Sequence, residues 1–206
     1  MSAYAELAVT TNFSFLRGAS HPQELVARAD ELGLPAIGIA DRNSFAGVVR
    51  AYDEAKKRKI KLLVGTRLVT IDGFEVLTYP TDRAAYGRLC RLITAGNLKA
   101  KKSECHLTFE EILNAAEGQI FIALPPTMLS CGMDSIPARP RVSGDPVLDS
   151  RFRGNERRES TAASLLFSSR LCALAEAAPG RTFLAGAHYH RGPWIMVAGP
   201  FIRSDP

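Results

Sequence analysis

The stretch GLPAIGIADRNS, residues 33–44, decides how this chain is read. Pro35 to Ala40 is a short apolar run between turn-forming residues, which predicts a buried strand. That strand delivers one carboxylate, Asp41, to its C-terminal end. Parallel α/β enzymes often place catalytic or metal-binding side chains there. The next residue, Arg42, is a permanent cation where a metal site would want a second ligand.

Working outward, the first 125 residues alternate strand and helix signals. AELAVTT (5–11) predicts a strand. Ser20, with Gln23 three residues on, predicts a capped helix burying Leu25, Val26, Ala29 and Leu32 and stopped by Gly33. After the strand in question, Ser44 is expected to cap a helix whose apolar stripe is Phe45, Val48, Val49 and Tyr52. KLLVGT (61–66) and FEVLTYP (74–80) predict strands around an IDG turn (71–73). Thr81 is expected to open a helix with Ala85, Leu89, Leu92 and Ile93 inward, ended by Gly96-Asn97. Thr108, Glu111 and Gly118 mark a short capped helix before the apolar strand QIFIAL (119–124). The alternation predicts an α/β fold with a largely parallel sheet or barrel.

After Pro125-Pro126 the texture changes. Residues 126–160 are rich in Pro, Gly, Ser and Arg without a sustained period, and predict a disordered insertion or linker. A helix (161–180) and a strand (181–187) follow, within a unit extending to 192, and 193–206 reads as an irregular tail.

Composition narrows the classes. The chain has 206 residues, 46% hydrophobic and 23% charged, the balance of a soluble globular protein. No run approaches the roughly 18 apolar residues of a membrane span, and the N-terminus carries no secretory pattern. The four cysteines are scattered without a CxxC pair, which argues against a structural zinc site and predicts a reducing cytoplasm. The net charge of +5 is compatible with nucleic acid but does not establish it. KKRKIK (56–61) reads first as the solvated last turn of a helix.

Several long motifs in register carry a family resemblance: FSFLRGASHPQELV, ADRNSFAGVVRA and YPTDRAAYGRLCRLITAGN. They resemble the N-terminal PHP (polymerase and histidinol phosphatase) domain of bacterial error-prone C-family DNA polymerases, relatives of the DNA polymerase III α subunit. The resemblance spans 4 to about 125 strongly and 161–192 weakly. It implies a PHP-type distorted (β/α) barrel, incomplete in this chain, with a metal cluster at the C-terminal strand ends in metal-binding members. Carried over by position, the HxH ligand pair falls on Ala8 and Thr10, and the Asp-His pair on Asp41 and Arg42. The Glu ligand falls on Arg67 and the next His on Glu75. Alanine has no donor atom, threonine only a neutral hydroxyl, and a guanidinium cannot deprotonate into a ligand. The site therefore reads as degenerate, with Asp41 expected to pair with Arg42 or Arg67 and no metal or catalytic residue in this chain.

The resemblance also implies what lies outside the chain: a palm domain holding Mg²⁺ for nucleotidyl transfer in DNA repair and translesion synthesis. Expected partners are DNA, the remaining polymerase domains, other translesion-synthesis proteins and the sliding clamp. RPRVSGDPVLDSRFRGNERR (139–158) resembles the translation of a short interspersed bacterial DNA repeat, which predicts an interrupted, truncated gene. Two alternatives stay open: a non-catalytic DNA- or protein-interaction module, and a stand-alone PHP metal-dependent phosphoesterase. HYH (188–190) has metal-compatible spacing but reads first as a surface strand end. Asp41, Arg42, His188 and His190 are the positions left for a weak metal or phosphate contact. Cys105-His106 has no orienting partner in view, and NLKAKK (97–102) is an exposed basic loop or a contact to DNA or a neighbouring domain.

Overall fold

The computed structural model describes residues 4–125, 165–189 and 193–200, with backbone alone at 186–189 and 193–200. The 126–160 segment and His190 lie outside the described residues. Seven strands form one sheet in chain order: β1 Glu6–Val9, β2 Ala36–Arg42, β3 Lys61–Val69, β4 Glu75–Pro80, β5 Gln119–Leu124, β6 Thr182–Tyr189 and β7 Pro193–Pro200. The helices are α1 Pro22–Glu31, α2 Val48–Arg58, α3 Arg83–Lys99, α4 Phe109–Asn114 and α5 (165–177). Edge strands β1 and β7 approach each other, so the sheet curls into an incomplete α/β barrel.

The sheet is mixed rather than largely parallel. β1, β2 and β3 run parallel, as does β5 with β6, but β3–β4, β4–β5 and β6–β7 are antiparallel. The turn at 70–74 is too short for a crossover and makes a hairpin, with Gly73 at φ +83°. Between β4 and β5, α3 runs back along the sheet and residues 100–118 return to the starting end, which reverses β5. Residues 193–200, read as an irregular tail, form β7 against β6.

Helix starts differ from expectation for local reasons. α1 begins at Pro22, not Ser20, because the residue before a proline is held extended. Glu24 then reaches back to the His21 amide at 2.9 Å. Ser44 does not cap α2; its hydroxyl takes the Ala46 amide, and Gly47 is the N-cap. On α2 the core side is Ala51 and Ala55, whereas Val49 and Tyr52 are exposed. Phe45 turns away to meet Tyr86 at 5.0 Å. Asp82 rather than Thr81 caps α3, accepting from the Ala85 amide at 2.7 Å. α3 runs past Gly96 because that glycine admits Cys105 and Leu107 against the helix; a Cβ there would stand 2.6 Å from Leu107 Cδ2.

Three apolar clusters hold the layers. One packs α1 and α2 on Ile37 and Ile39, and a second packs α3, α4 and α5 around Leu89, Leu107, Phe121 and Leu174. The third, with Ala40, Leu77, Tyr79 and Ile122, fills the concave side. Tyr79 lies across this interior and donates its hydroxyl to the Leu7 carbonyl, joining β4 to β1. Burial pushes the Tyr79 phenol well above its ordinary value. Gly65 makes the room: a Cβ there would lie 2.3 Å from the Tyr79 ring.

α5 is clamped from outside. The Arg170 guanidinium engages both Asp72 carboxylate oxygens and lies 5.4 and 5.2 Å from the Phe74 and Phe109 ring centres. Among the described residues, no helix is long and apolar enough to cross a membrane.

Two outcomes follow. Gly65→Ala should destabilise by about 1–3 kcal/mol through overpacking, read from the midpoint of urea unfolding. Arg170 holds the Asp72 carboxyl down at about 2, below its ordinary 3.8. A depressed carboxyl stabilises the fold above its unfolded pKa and loses that contribution as pH falls through the folded one. The stability gap between the native chain and Asp72→Asn should therefore be full above about pH 4 and close toward pH 2, measured by denaturation across that range.

Candidate functional site: the strand ends around Asp41

Consecutive strand residues point to opposite faces, and this separates Asp41 from Arg42. Asp41 follows Ile37 and Ile39 on the outer, helix-covered face and is 1% exposed. Arg42 follows Gly38 and Ala40 on the concave face. The expected Asp41–Arg42 or Asp41–Arg67 ion pair does not form.

Asp41 is satisfied instead by neutral donors from the loop after β1. Its Oδ1 accepts from the Thr11 amide at 2.8 Å and the Ser14 hydroxyl at 2.7 Å, and its Oδ2 from the Thr11 hydroxyl at 2.8 Å. Ser14 Oγ also accepts from the Arg42 amide at 3.0 Å. Two glycines permit this packing. A Cβ on Gly47 would lie 2.8 Å from Asp41 Oδ2, and one on Gly18 would lie 2.3 Å from the Thr11 carbonyl oxygen. Asn43, at φ +46°, extends the β2–β3 contact past the strand end by exchanging side-chain hydrogen bonds with the Val69 amide and carbonyl. The sequence reading missed Thr11 and Ser14. Their signal was the short hydroxyl side chains of Thr11 and Ser14, with Gly18 after them, in the stretch TNFSFLRG just after a strand.

Of the other candidate positions, Ala8, Arg42, Arg67 and Glu75 lie on the concave face. Ala8 packs into the interior cluster, and Thr10 directs its hydroxyl to the Ala8 carbonyl at 3.5 Å. Arg42 and Arg67 are register partners on adjacent parallel strands. Arg67 reaches Glu75 on β4 with N···O of 3.6 Å, and both side chains are half-buried. The Arg67 Nε is buried and finds no acceptor among the described residues. His188 is on β6, in register with Trp194.

The described side chains at these positions offer few donors for a metal cation. Asp41 spends its oxygens on three donors and faces away from the concave side. Two guanidiniums stand in register at the strand ends, with one carboxylate already paired to Arg67. Among the described residues, no three His, Cys, Asp or Glu side chains converge as a metal ion requires. Cys105 is no better placed for chemistry: burial, then the nearby Glu111, push its thiol up, away from the reactive thiolate. His106 lies 3.5 Å from Glu104.

The family model described as PHP domain matches residues 6–141, and the chain belongs to that family. Among curated relatives, an error-prone DNA polymerase of Caulobacter vibrioides is 59% identical over 127 residues, covering 61% of this chain and 12% of the relative. One from Rhodopseudomonas palustris is 45% identical over 208 residues, covering 92% and 18%. The chain thus spans less than a fifth of the length of these relatives. A candidate metal-dependent phosphoesterase of Bifidobacterium adolescentis, known by crystal structure, aligns over 88% of this chain and 85% of its own at 15% identity, with a TM-score of 0.49.

Removing the Asp41 acceptor should loosen the whole loop. Asp41→Ala strands three donors and is expected to cost about 3 kcal/mol or more, whereas Asp41→Asn keeps one acceptor oxygen and should cost much less. Tryptic cleavage after Arg17 under native conditions checks this: it should accelerate sharply in Asp41→Ala and little in Asp41→Asn.

Proposed function

We propose that this chain is the PHP portion of an error-prone DNA polymerase and serves that enzyme as a non-catalytic structural part. The observation that carries the reading is the pair Arg42 and Arg67, in register on the concave face at the positions where metal-binding relatives would place ligands. With Ala8 and Thr10 at the HxH positions, fixed cations occupy the region that dications would otherwise fill. The Arg67–Glu75 pair supports the same reading, since the Glu75 carboxylate is balanced by a guanidinium within the protein. The polymerase assignment is supported by relatives at 45–59% identity that carry that name.

On this reading the chain itself transfers no nucleotide. Nucleotidyl transfer, with carboxylates holding Mg²⁺, belongs to parts of the polymerase that the chain does not span. DNA and the remaining polymerase domains are the partners proposed for the whole enzyme, with the sliding clamp and other translesion proteins beyond them. Damage-tolerant synthesis in the cytoplasm is the role proposed for it.

The test is metal stoichiometry. After incubation with Zn²⁺ or Mn²⁺ and exhaustive dialysis, elemental analysis should find far less than one ion per chain. The same sample should not hydrolyse p-nitrophenyl phosphate above the buffer rate. Stoichiometric metal with metal-dependent turnover would sink the proposal in favour of a phosphoesterase.

A further inference from the structure

Two segments far apart in the sequence wall one open cleft of about 1280 Å³: the 13–17 loop on one side and residues 97–106 on the other, with Arg42–Ser44 and the Val69–Ile71 turn between them. That volume exceeds the roughly 300–1,000 Å³ of small-molecule pockets, which favours a polymeric occupant. The first wall offers an apolar tip, with Phe15 84% and Leu16 88% exposed. Phe13, beside them, is covered by the Arg50 guanidinium at 5.5 Å, which leaves Phe15 as the free aromatic face.

This tip is held out by construction rather than by looseness. Leu16 has φ +60°, a left-handed conformation unfavourable for a leucine. The turn around it is closed by hydrogen bonds from the Arg17 and Gly18 amides to the Ser14 carbonyl. Ser14 is in turn fixed on Asp41. The opposite wall contains a second left-handed non-glycine, Ser103 at φ +76°.

Charge selects the occupant. Arg17, Arg42, Lys101 and Lys102 line the cleft against a single carboxylate, Glu104. Among the described residues none of the four is ion-paired, and Glu104 lies beside His106. A protein segment suited to Phe15 and Leu16 would meet four cations with one balancing charge. A single nucleic-acid strand satisfies both, through phosphates on the cations and a base on the exposed ring. We propose that this cleft binds single-stranded DNA, with Phe15 as a stacking platform and Arg17, Arg42, Lys101 and Lys102 on the backbone phosphates. The choice of DNA as the polymer rests on the polymerase reading above, but the metal assay and the binding assay fail independently.

The test is fluorescence anisotropy of the full chain with labelled oligothymidylate of about 12 nucleotides, titrated across a salt series. Removing two phosphate contacts in Lys101→Ala/Lys102→Ala should flatten the slope of log K against log salt by about 1.4. Phe15→Ala should weaken binding roughly 5- to 150-fold while leaving that slope unchanged. Lys56→Ala/Lys57→Ala, in the separate basic cluster on α2, should change neither. Absence of binding by a chain with native circular dichroism would overturn the proposal and give the apolar tip to a protein partner. An equal loss in the α2 variant, or full affinity in Phe15→Ala, would overturn it as well.

Discussion

A carboxylate shut away from water must be given donors, and at the end of β2 that requirement organises everything around it. Asp41 takes three hydrogen bonds from Thr11 and Ser14, and these two residues bracket the chain as it leaves β1. The loop is thereby tied to the second strand rather than to the first. Gly18 must then pass against the Thr11 backbone, and Gly47 must bring the start of α2 down on the carboxylate. In space, Asp41 is the anchor of a loop.

The concave face is governed by a different constraint, the disposal of charge near an apolar interior. Tyr79 crosses that interior and closes β4 onto β1, leaving the strand ends above it to Arg42, Arg67 and Glu75. A guanidinium cannot shed its charge when half-buried, so Arg67 keeps a carboxylate neighbour. Among the described residues, the mouth of the barrel thus sets the guanidiniums of Arg42 and Arg67 beside the carboxylate of Glu75.

Much of this was legible in the sequence. The apolar runs located β2 to β6, and the positions facing the helix side of α3 were correct because Ala85, Leu89, Leu92 and Ile93 repeat at helical spacing. The stripe on α2 misled because its larger residues, Val49 and Tyr52, lie outward while two alanines make the close contact. Sheet direction was misjudged because strand and helix order does not record that a long return path can reverse a strand. The partner of Asp41 was misassigned for a simpler reason: adjacency in sequence suggested Arg42, but neighbouring residues on a strand diverge. Thr11 and Ser14 are 30 and 27 positions away, and only the three-dimensional structure brings them near.

The Arg170–Asp72 clamp joins residues 98 positions apart. Among the described residues, its geometry is set at its two ends, by the β3–β4 turn and the Phe74 and Phe109 rings. For a flexible connection, doubling the length adds only about 0.6 kcal/mol to the entropy of closure. By that rule, the docking of the last helix depends on Arg170, Asp72, Phe74 and Phe109 far more than on how many residues separate α5 from β5.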